Sequence, residues 1–518
     1  LDTTGPSRWQ KASRGSFLAT AAIVLAAAAV HGRTVAFGLV DLDDRDLLVD
    51  DHAFLVAAGS VWRVFGRSYL GVVDAGHAYY RPIVAASYAL DARWSGIDPR
   101  GYHLTNVLVF CAAAALLCGL LRALRLGSGV ALAGALAFSV HPTLASAVAW
   151  IPGRNDALAA AFTLAAWLAF ALDLERPSNR GRLLHVGAFA AALFTKETAL
   201  VLPLVLVAHA VLVRPERATT ARLRVSPFYA ATWTALVAVR LVAHPMGGAL
   251  VPPGPRAVLT FLVSSLGQVA LPFDPHAIAV AADLPVWPGA LAAAAVCAAA
   301  FRIPNVRRGV VGLGVAVFLL FLVPVLAVGG TLVLACRLVL PACGVLIVMG
   351  EIVRAAQGSP RTIAAAAAAV LLGLASITAG SEGAFVNARA FAVAAVAGSP
   401  QCPLAHVCLG RSYQASGDDE RALAEYDAAL ALGPAEVVHN NIAVIDMKNG
   451  RWSDADRELA SELALNPRYG RALFNRAIVL RHEGRMGEAC EAVARAFALA
   501  PDGADSDLRA ERERDCPR

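Results

Sequence analysis

The chain has 518 residues; 58% are hydrophobic, 16% are charged, and the net charge is +6. Soluble domains carry about 25% charged residues, so this composition excludes a wholly soluble fold. The excess charge is Arg scattered between apolar runs, with no basic stripe interleaved with aromatics, which argues against a nucleic-acid surface. Ala, Leu and Val dominate residues 16–400 and charges crowd the tail, the pattern of a membrane domain followed by a soluble one.

A bilayer-crossing helix needs about 20 mostly apolar residues. Runs near that length lie at about 16–40, 102–121, 129–147, 156–173, 184–196, 197–213, 226–243, 289–301, 309–328, 331–350 and 362–379. The first exceeds a signal-peptide core and many more follow, so it reads as a retained helix; the chain opens on Leu1, which leaves its true N-terminus open. Arg clusters at 8–14, 122–125, 176–182, 214–224, 302–308 and 354–361 mark the inner loops. All of them face inward with eleven crossings if the run at 257–272, flanked by Gly and Pro, is re-entrant or interfacial. The N-terminus is then cytoplasmic and the tail external, and residues 41–101 form an external loop with short amphipathic pieces such as Val61–Phe65.

The tail repeats. Pro434, Pro467 and Pro501 are spaced by 33 and 34 residues, and Gly417, Gly450, Gly484 and Ala422, Ala455, Ala489 keep those intervals. This is the tetratricopeptide (TPR) period of about 34. Leu409, Gly410, Tyr413, Ala422, Tyr426, Ala429 and Pro434 fill the expected places of the first unit. The domains are therefore 1–400 and 401–518, with repeats at 403–435, 436–469 and 470–503 and a polar end at 505–518. The expected class is all-α: a polytopic helical bundle, then a TPR α-solenoid.

In the membrane half the unusual polar residues are Asp43-Asp44, Tyr80-Arg81-Pro82, Tyr102-His103, Asn106, His141-Pro142, Arg154-Asn155-Asp156, Lys196-Glu197 and Arg337. The topology puts all of them on the outer side. Ionisable groups at membrane depth are costly and mark function, against the plainer reading of capping and interfacial anchoring. Nine cysteines offer no CxxC pair and no Cys/His metal spacing.

The strings GLVDLDDRDLLVDDHAFL, YYRPIVAASYALD, GYHLTNVLVF, HPTLASAVAWIPGRNDALAAAF, LFTKETALVLP and LACRLVLPACG, in this order and followed by a TPR array, resemble the transmembrane and TPR-repeat-containing O-mannosyltransferases, of the GT-C class of lipid-linked-sugar glycosyltransferases. Ser146 and Cys336 stand where that family has Glu. Asp50-Asp51 rivals Asp43-Asp44 for the acidic pair, and the register from the first helix favours Asp43-Asp44. The resemblance implies an outer-face active site. There, mannose moves from a polyprenyl-phosphate donor to Ser/Thr hydroxyls of external proteins by inverting single displacement. Alanine and arginine richness suggests a bacterial-type member in the cytoplasmic membrane.

Such transfer needs a base, because a hydroxyl is a weak nucleophile. Asp43 or Asp44 can serve, with desolvation and a like-charged neighbour raising the pKa. It also needs cations at the leaving phosphate; the candidates are Arg81, Arg154, Lys196 and Arg337. His103, His141, Asp156 and Glu197 are supporting residues, Glu197 as a partner for Lys196. No cofactor or metal is required by these residues, although a divalent metal is compatible with them. The expected partners are the lipid-linked donor, membrane lipid and an acceptor protein or peptide held by the TPR domain; nucleic acid is not expected. The alternative is a non-catalytic, membrane-anchored TPR scaffold. A transporter fits less well, since the ionisable residues gather at one face and not at the midplane.

Overall fold

The computed structural model describes residues 8–40, 42–67, 69, 79–213, 215–243, 254–273, 275–276, 278–327, 332–356 and 358–499. The expected polar end at 505–518 and most of the Gly/Pro-rich stretch before residue 257 lie outside these residues. The longer helices of the bundle are α1 (Arg8–His31), α2 (Pro82–Ser95), α3 (Pro99–Ala123), α4 (Ser128–Ser139), α5 (Arg154–Glu175), α6 (Asn179–Thr195) and α7 (Leu202–Val213). They continue as α8 (Pro215–Ala243), α9 (Pro255–Ala270), α10 (Trp287–Arg302), α11 (Arg308–Ala327), α12 (Val339–Ala355), α13 (Pro360–Ser381) and α14 (Ala388–Gly398). The array follows as α15 (Pro403–Ala415), α16 (Asp419–Leu432), α17 (Val438–Lys448), α18 (Trp452–Leu465), α19 (Gly470–His482) and α20 (Met486–Leu499).

Local sequence explains many of these boundaries. Pro82, Pro99, Pro255, Pro360 and Pro403 sit at first helical positions, where the missing N–H costs nothing. Asp98, Ser178, Ser359, Asn387 and Asp418 cap the N-termini of their helices through side-chain oxygens. Small residues set the closest helix approach: a Cβ on Gly344 of α12 would lie 2.3 Å from the Gly314 carbonyl oxygen of α11.

Among the described residues, six helical segments are long and apolar enough to cross a membrane, at Phe17–Ala36, Pro99–Ala123, Ile151–Glu175, Arg308–Ala327, Ala335–Ala355 and Pro360–Phe385. A seventh is the pair Ser128–Ser139 and Pro142–Ala149, bent by 51° at His141. The chain is a multi-pass membrane protein. Four further apolar helices, Glu197–Val213, Pro227–Val242, Trp287–Arg302 and Ala388–Gly398, are shorter. The run expected to be re-entrant is α9, 16 residues long. The all-α expectation needs one amendment: Ile278–Val280 pairs antiparallel with Leu332–Leu334, so that the strand hydrogen bonds hold the segment just before Arg337.

The two ends of the bundle differ. At one end Arg307 binds Glu351 and the Leu124 carbonyl, and Arg354 binds Glu351, tying three of the Arg-bearing connections together. The opposite ends of α3 and α5 carry Tyr102 and Arg154, and Arg337 lies in the short turn that leads into α12.

The tail is three antiparallel helix pairs. Gly417, Gly450 and Gly484 take φ of 80°, 72° and 77° at the turn inside each pair, a conformation that favours glycine. Gly410 lets the Tyr426 ring approach: a Cβ there would sit 2.5 Å from it. Cys402, Ala405, Cys408 and Leu409 of the first pair belong to the same apolar core as the bundle. Ser399 also accepts from Val280 N–H and donates to Asp283. The array is thus packed on the membrane domain, not tethered to it.

Candidate active site

The chain leaves α1 through a tight turn, and Gly38 N–H donates to the Val386 carbonyl at 2.9 Å. Asp44 is fully buried, and its Oδ2 accepts from Val40 N–H at 2.7 Å. That bond closes the turn and leaves the neighbouring Asp43 half-buried at the rim. A π-helical turn, Arg45–Asp50, follows. Asp51 is committed to Arg67 by two hydrogen bonds, Nη2–Oδ1 2.6 Å and Nη1–Oδ2 3.0 Å. The two acidic pairs therefore differ. Asp51 is spent on its own loop, Asp50 pairs with Arg471 of the array, and Asp43 lies in the field of Arg81 and Arg337.

Burial pushes Asp43 up to about 6, with Asp46 adding to the rise; Arg81, Arg337 and Arg411 oppose it. These charges come from four distant parts of the sequence. Arg81 precedes α2 and binds Glu197 through Nη2–Oε1 at 2.5 Å. Its guanidinium also lies 4.6 Å from the Tyr79 ring centre and 5.4 Å from that of Tyr69. Arg337 stands in the short turn between the strand and α12. Among the described residues no carboxylate is within ion-pair distance of it, and Asp43 senses its field. Beside it, Lys196 Nζ binds Asp156 Oδ1 at 2.6 Å, and Cys336 lies next to the same carboxylate. Glu197 is therefore not the partner of Lys196 as expected: residues 196 and 197 point to different carboxylate and guanidinium groups.

The structure brings together Asp43, Arg81, Glu197 and Arg337, with Asp156, Lys196 and Cys336 alongside. It does not bring Arg154 into this set. Arg154 is fully buried and satisfied by Asp91 (2.6 Å), Asn106 (2.7 Å), the Tyr102 carbonyl (2.6 Å) and Ser87 (3.2 Å), and it stacks 4.6 Å from the Tyr88 ring centre. A cation so enclosed has no face left for a phosphate; it locks α2, α3 and α5 together. His103 is enclosed edge-on to Phe37. His141 Nε2–H donates to the Val269 carbonyl (2.9 Å), holding the bent α4 segment against α9. Among the described residues no group of three or more His, Cys, Asp or Glu side chains is placed to hold a metal ion.

Sequence reasoning missed the roof. Arg471 on α19 donates to Asp46 at 2.9 Å and also binds Asp50. Tyr469 beside it is buried against the same loop, and Arg411 on α15 faces Asp43. No spacing within the repeats signals these contacts. A largely apolar cleft of about 970 Å³ is lined by Pro142, Ser146, His276, Phe385 and Phe391 among others, and by Ala335, two residues before Arg337.

Fold and site together define a multi-pass membrane protein with a TPR array packed against a cluster of acidic and cationic side chains. No protein-family model matches the chain. It is similar to protein O-mannosyl-transferase Tmtc1 of Drosophila melanogaster, 37% identical over 131 residues, which is 25% of this chain and 15% of the relative. It is similar also to Tmtc2 of the same fly, 33% over 178 residues (32% of this chain, 19% of the relative). The human TMTC1 protein is 30% identical over 182 residues (33% and 20%). The chain thus spans a fifth or less of the length of these relatives. They carry the same family resemblance as the motifs. Among solved structures, the APC/C hetero-tetramer Cut9-Hcn1 matches 84% of this chain and 90% of its own with a TM-score of 0.28 and 13% identity, too slight a likeness to define a fold.

Proposed function

We propose that the chain is a membrane O-glycosyltransferase that moves a sugar, mannose by the likeness to its relatives, from a polyprenyl-phosphate donor to Ser/Thr hydroxyls of external proteins. The observation that carries this reading is the meeting of Asp43 with Arg81 and Arg337 at one end of the bundle. A carboxylate pushed up to about 6 still ionises at neutral pH and is a stronger base than an ordinary aspartate. It takes the acceptor proton while the hydroxyl oxygen attacks the sugar carbon from the face opposite the departing phosphate. Arg337, with no carboxylate at ion-pair distance among the described residues, holds that phosphate; a guanidinium offers two parallel donors to it. Arg81 and Lys196 add positive field while Glu197 and Asp156 hold them in place. The apolar cleft beside Ala335 suits the polyprenyl tail. No metal enters this reading.

In the proposed orientation the N-terminus is cytoplasmic, the bundle makes eleven crossings, and the array is external. Glycan mass spectrometry of external proteins from cells with the wild-type chain and with Asp43→Asn tests the reading. Hexose on Ser or Thr that disappears in the variant supports it; identical glycans in both reject it and favour a scaffold.

A further inference from the structure

One short element of the cleft wall touches two cation-bearing segments. The helical turn Ser146–Ala149 packs on Ala335–Leu338, which carries Arg337, and on Glu382–Phe385, which leads into α14. Ser146 is buried and lines the cleft, and its Oγ has no hydrogen-bond partner among the described residues. An enclosed hydroxyl without a partner is costly, and an acceptor on a ligand relieves it. Arg389, in the first turn of α14, lines the same cleft. Its guanidinium lies 4.0 Å from the ring centre of Tyr413 on α15, and among the described residues no carboxylate is within ion-pair distance of it. A ring covers the flat face of a guanidinium and not its N–H edges.

The start of α14 adds to that charge. Asn387 caps the helix by accepting from Ala390 N–H at 2.9 Å. The amides of Ala388 and Arg389 precede any carbonyl of the helix, so they point out of its N-terminus, where an anion is favoured. Phe385 and Phe391, with ring centres 5.7 Å apart, and Val393 supply apolar wall beside them. A phosphate on a long apolar tail matches this combination of guanidinium, helix N-terminus, buried hydroxyl and apolar wall. The position suits a lipid as well, since the membrane-length segment Pro360–Phe385 ends at this wall.

Transfer changes the charge of the lipid. In the proposed reaction the bond between the sugar carbon and the phosphate oxygen breaks, and its electron pair stays on that oxygen. A diester becomes a monoester, which carries about −1.5 to −2 charge at pH 7. We propose that Arg389, the N-terminus of α14 and the Ser146 hydroxyl form a second phosphate station, which takes the sugar-free polyprenyl phosphate as it leaves Arg337. Asp43, Asp156 and Glu197 surround the first position and repel the added charge, whereas Arg389 has no paired carboxylate among the described residues. Ser146 belongs to the element that touches both segments, so its hydroxyl can follow the phosphate from one cation to the other. The station rests on the transferase reading for the origin of its ligand, and on the cleft for its binding chemistry.

The test is binding without any acceptor. The full chain in nanodiscs of neutral phospholipid is titrated with a fluorescent short-chain polyprenyl phosphate and, separately, with the matching mannosyl diester. Arg389→Gln should weaken the monoester about tenfold, the loss of one charge-assisted hydrogen bond, and the diester less than about twofold. Arg389→Lys should fall between Arg389→Gln and the wild type, and Ser146→Ala should weaken the monoester about threefold. Arg389 is exposed, so its variants should keep the fold, which thermal unfolding checks. Equal monoester affinity in the wild type and Arg389→Gln, or equal losses for monoester and diester, overturns the proposal. Displacement of the monoester by inorganic phosphate alone overturns it too, as the mark of a free-anion site. So does displacement by phosphatidylglycerol as effective as that by unlabelled polyprenyl phosphate, the mark of a general anionic-lipid site. Sugar transfer with Arg389-independent binding would reject the station alone, and Arg389-dependent binding by a chain that transfers no sugar would reject the transferase reading alone.

Discussion

Arg471 of the third repeat donates to Asp46 of the loop after the first helix at 2.9 Å, across a sequence separation of 425 residues. The same guanidinium binds Asp50, so the array grips the turn that presents Asp43. Arg471 is 41% exposed, and pairs of that kind contribute about 1 kcal/mol or less to stability. Arg471→Ala should therefore unfold near the wild-type temperature. Transfer to a protein or peptide should show a raised KM with kcat changed less. A KM equal to wild type would remove Arg471 from the acceptor path.

Asp43 and Asp44 should separate in mutagenesis. Asp43→Asn removes the proposed base and should abolish transfer while leaving the fold intact. Asp44→Asn weakens the bond to Val40 N–H in a fully buried turn, and should cost about 1–3 kcal/mol of stability. Thermal unfolding in detergent, measured beside activity, distinguishes the two. Loss of activity from Asp50→Asn with Asp43→Asn unaffected would place the base elsewhere in the loop.

The pH profile follows from the same carboxylate. Only ionised Asp43 accepts a proton, and its pKa is pushed up to about 6. The rate should climb through that region and level off above it, with roughly a tenth of the maximum one unit below. Asp46→Asn removes a neighbour that raises Asp43 and should move the rising limb to lower pH. Arg411→Gln removes one that lowers it and should move the limb to higher pH. An unchanged limb in both variants would detach it from Asp43.

Arg154 should behave as a structural residue. It is buried with Asp91, and breaking such a pair costs about 3–5 kcal/mol. Arg154→Met should lower the unfolding temperature sharply, and any remaining folded fraction should keep near-normal donor affinity. A stable variant that had lost donor binding would return Arg154 to the phosphate site.

Much of the architecture was legible because it is written in local periodicity. Apolar runs marked the spans, and Gly417, Gly450 and Gly484 marked the turns of the array. The site was legible only as residue types. Arg154 looked like Arg337 in sequence, both being cations at the end of an apolar run. What separates them is Asp91, 63 residues before Arg154, which the packing of α2 on α5 brings to 2.6 Å. Lys196 and Glu197 are adjacent in the chain, yet their backbone turn sends one to Asp156 and the other to Arg81. The roof residues Arg411, Tyr469 and Arg471 were invisible for the same reason: their partners lie more than three hundred residues earlier, and no spacing connects them.

Orientation has its own check. A membrane-impermeant thiol reagent should reach an added cysteine after residue 502 in intact cells. Labelling only after lysis would put the array and the Asp43 rim on the inner side.

In the proposed mechanism Asp43 and Arg337 act on one lipid-linked sugar. The direct measurement is transfer of radiolabelled mannose from polyprenyl-phosphate mannose to a Ser/Thr peptide by the purified chain in nanodiscs, comparing the wild type, Asp43→Asn and Arg337→Lys. Labelled peptide is expected with the wild type, none with Asp43→Asn, and slowed turnover with Arg337→Lys, since lysine lacks the paired donors of arginine. Equal label from all three proteins would contradict it.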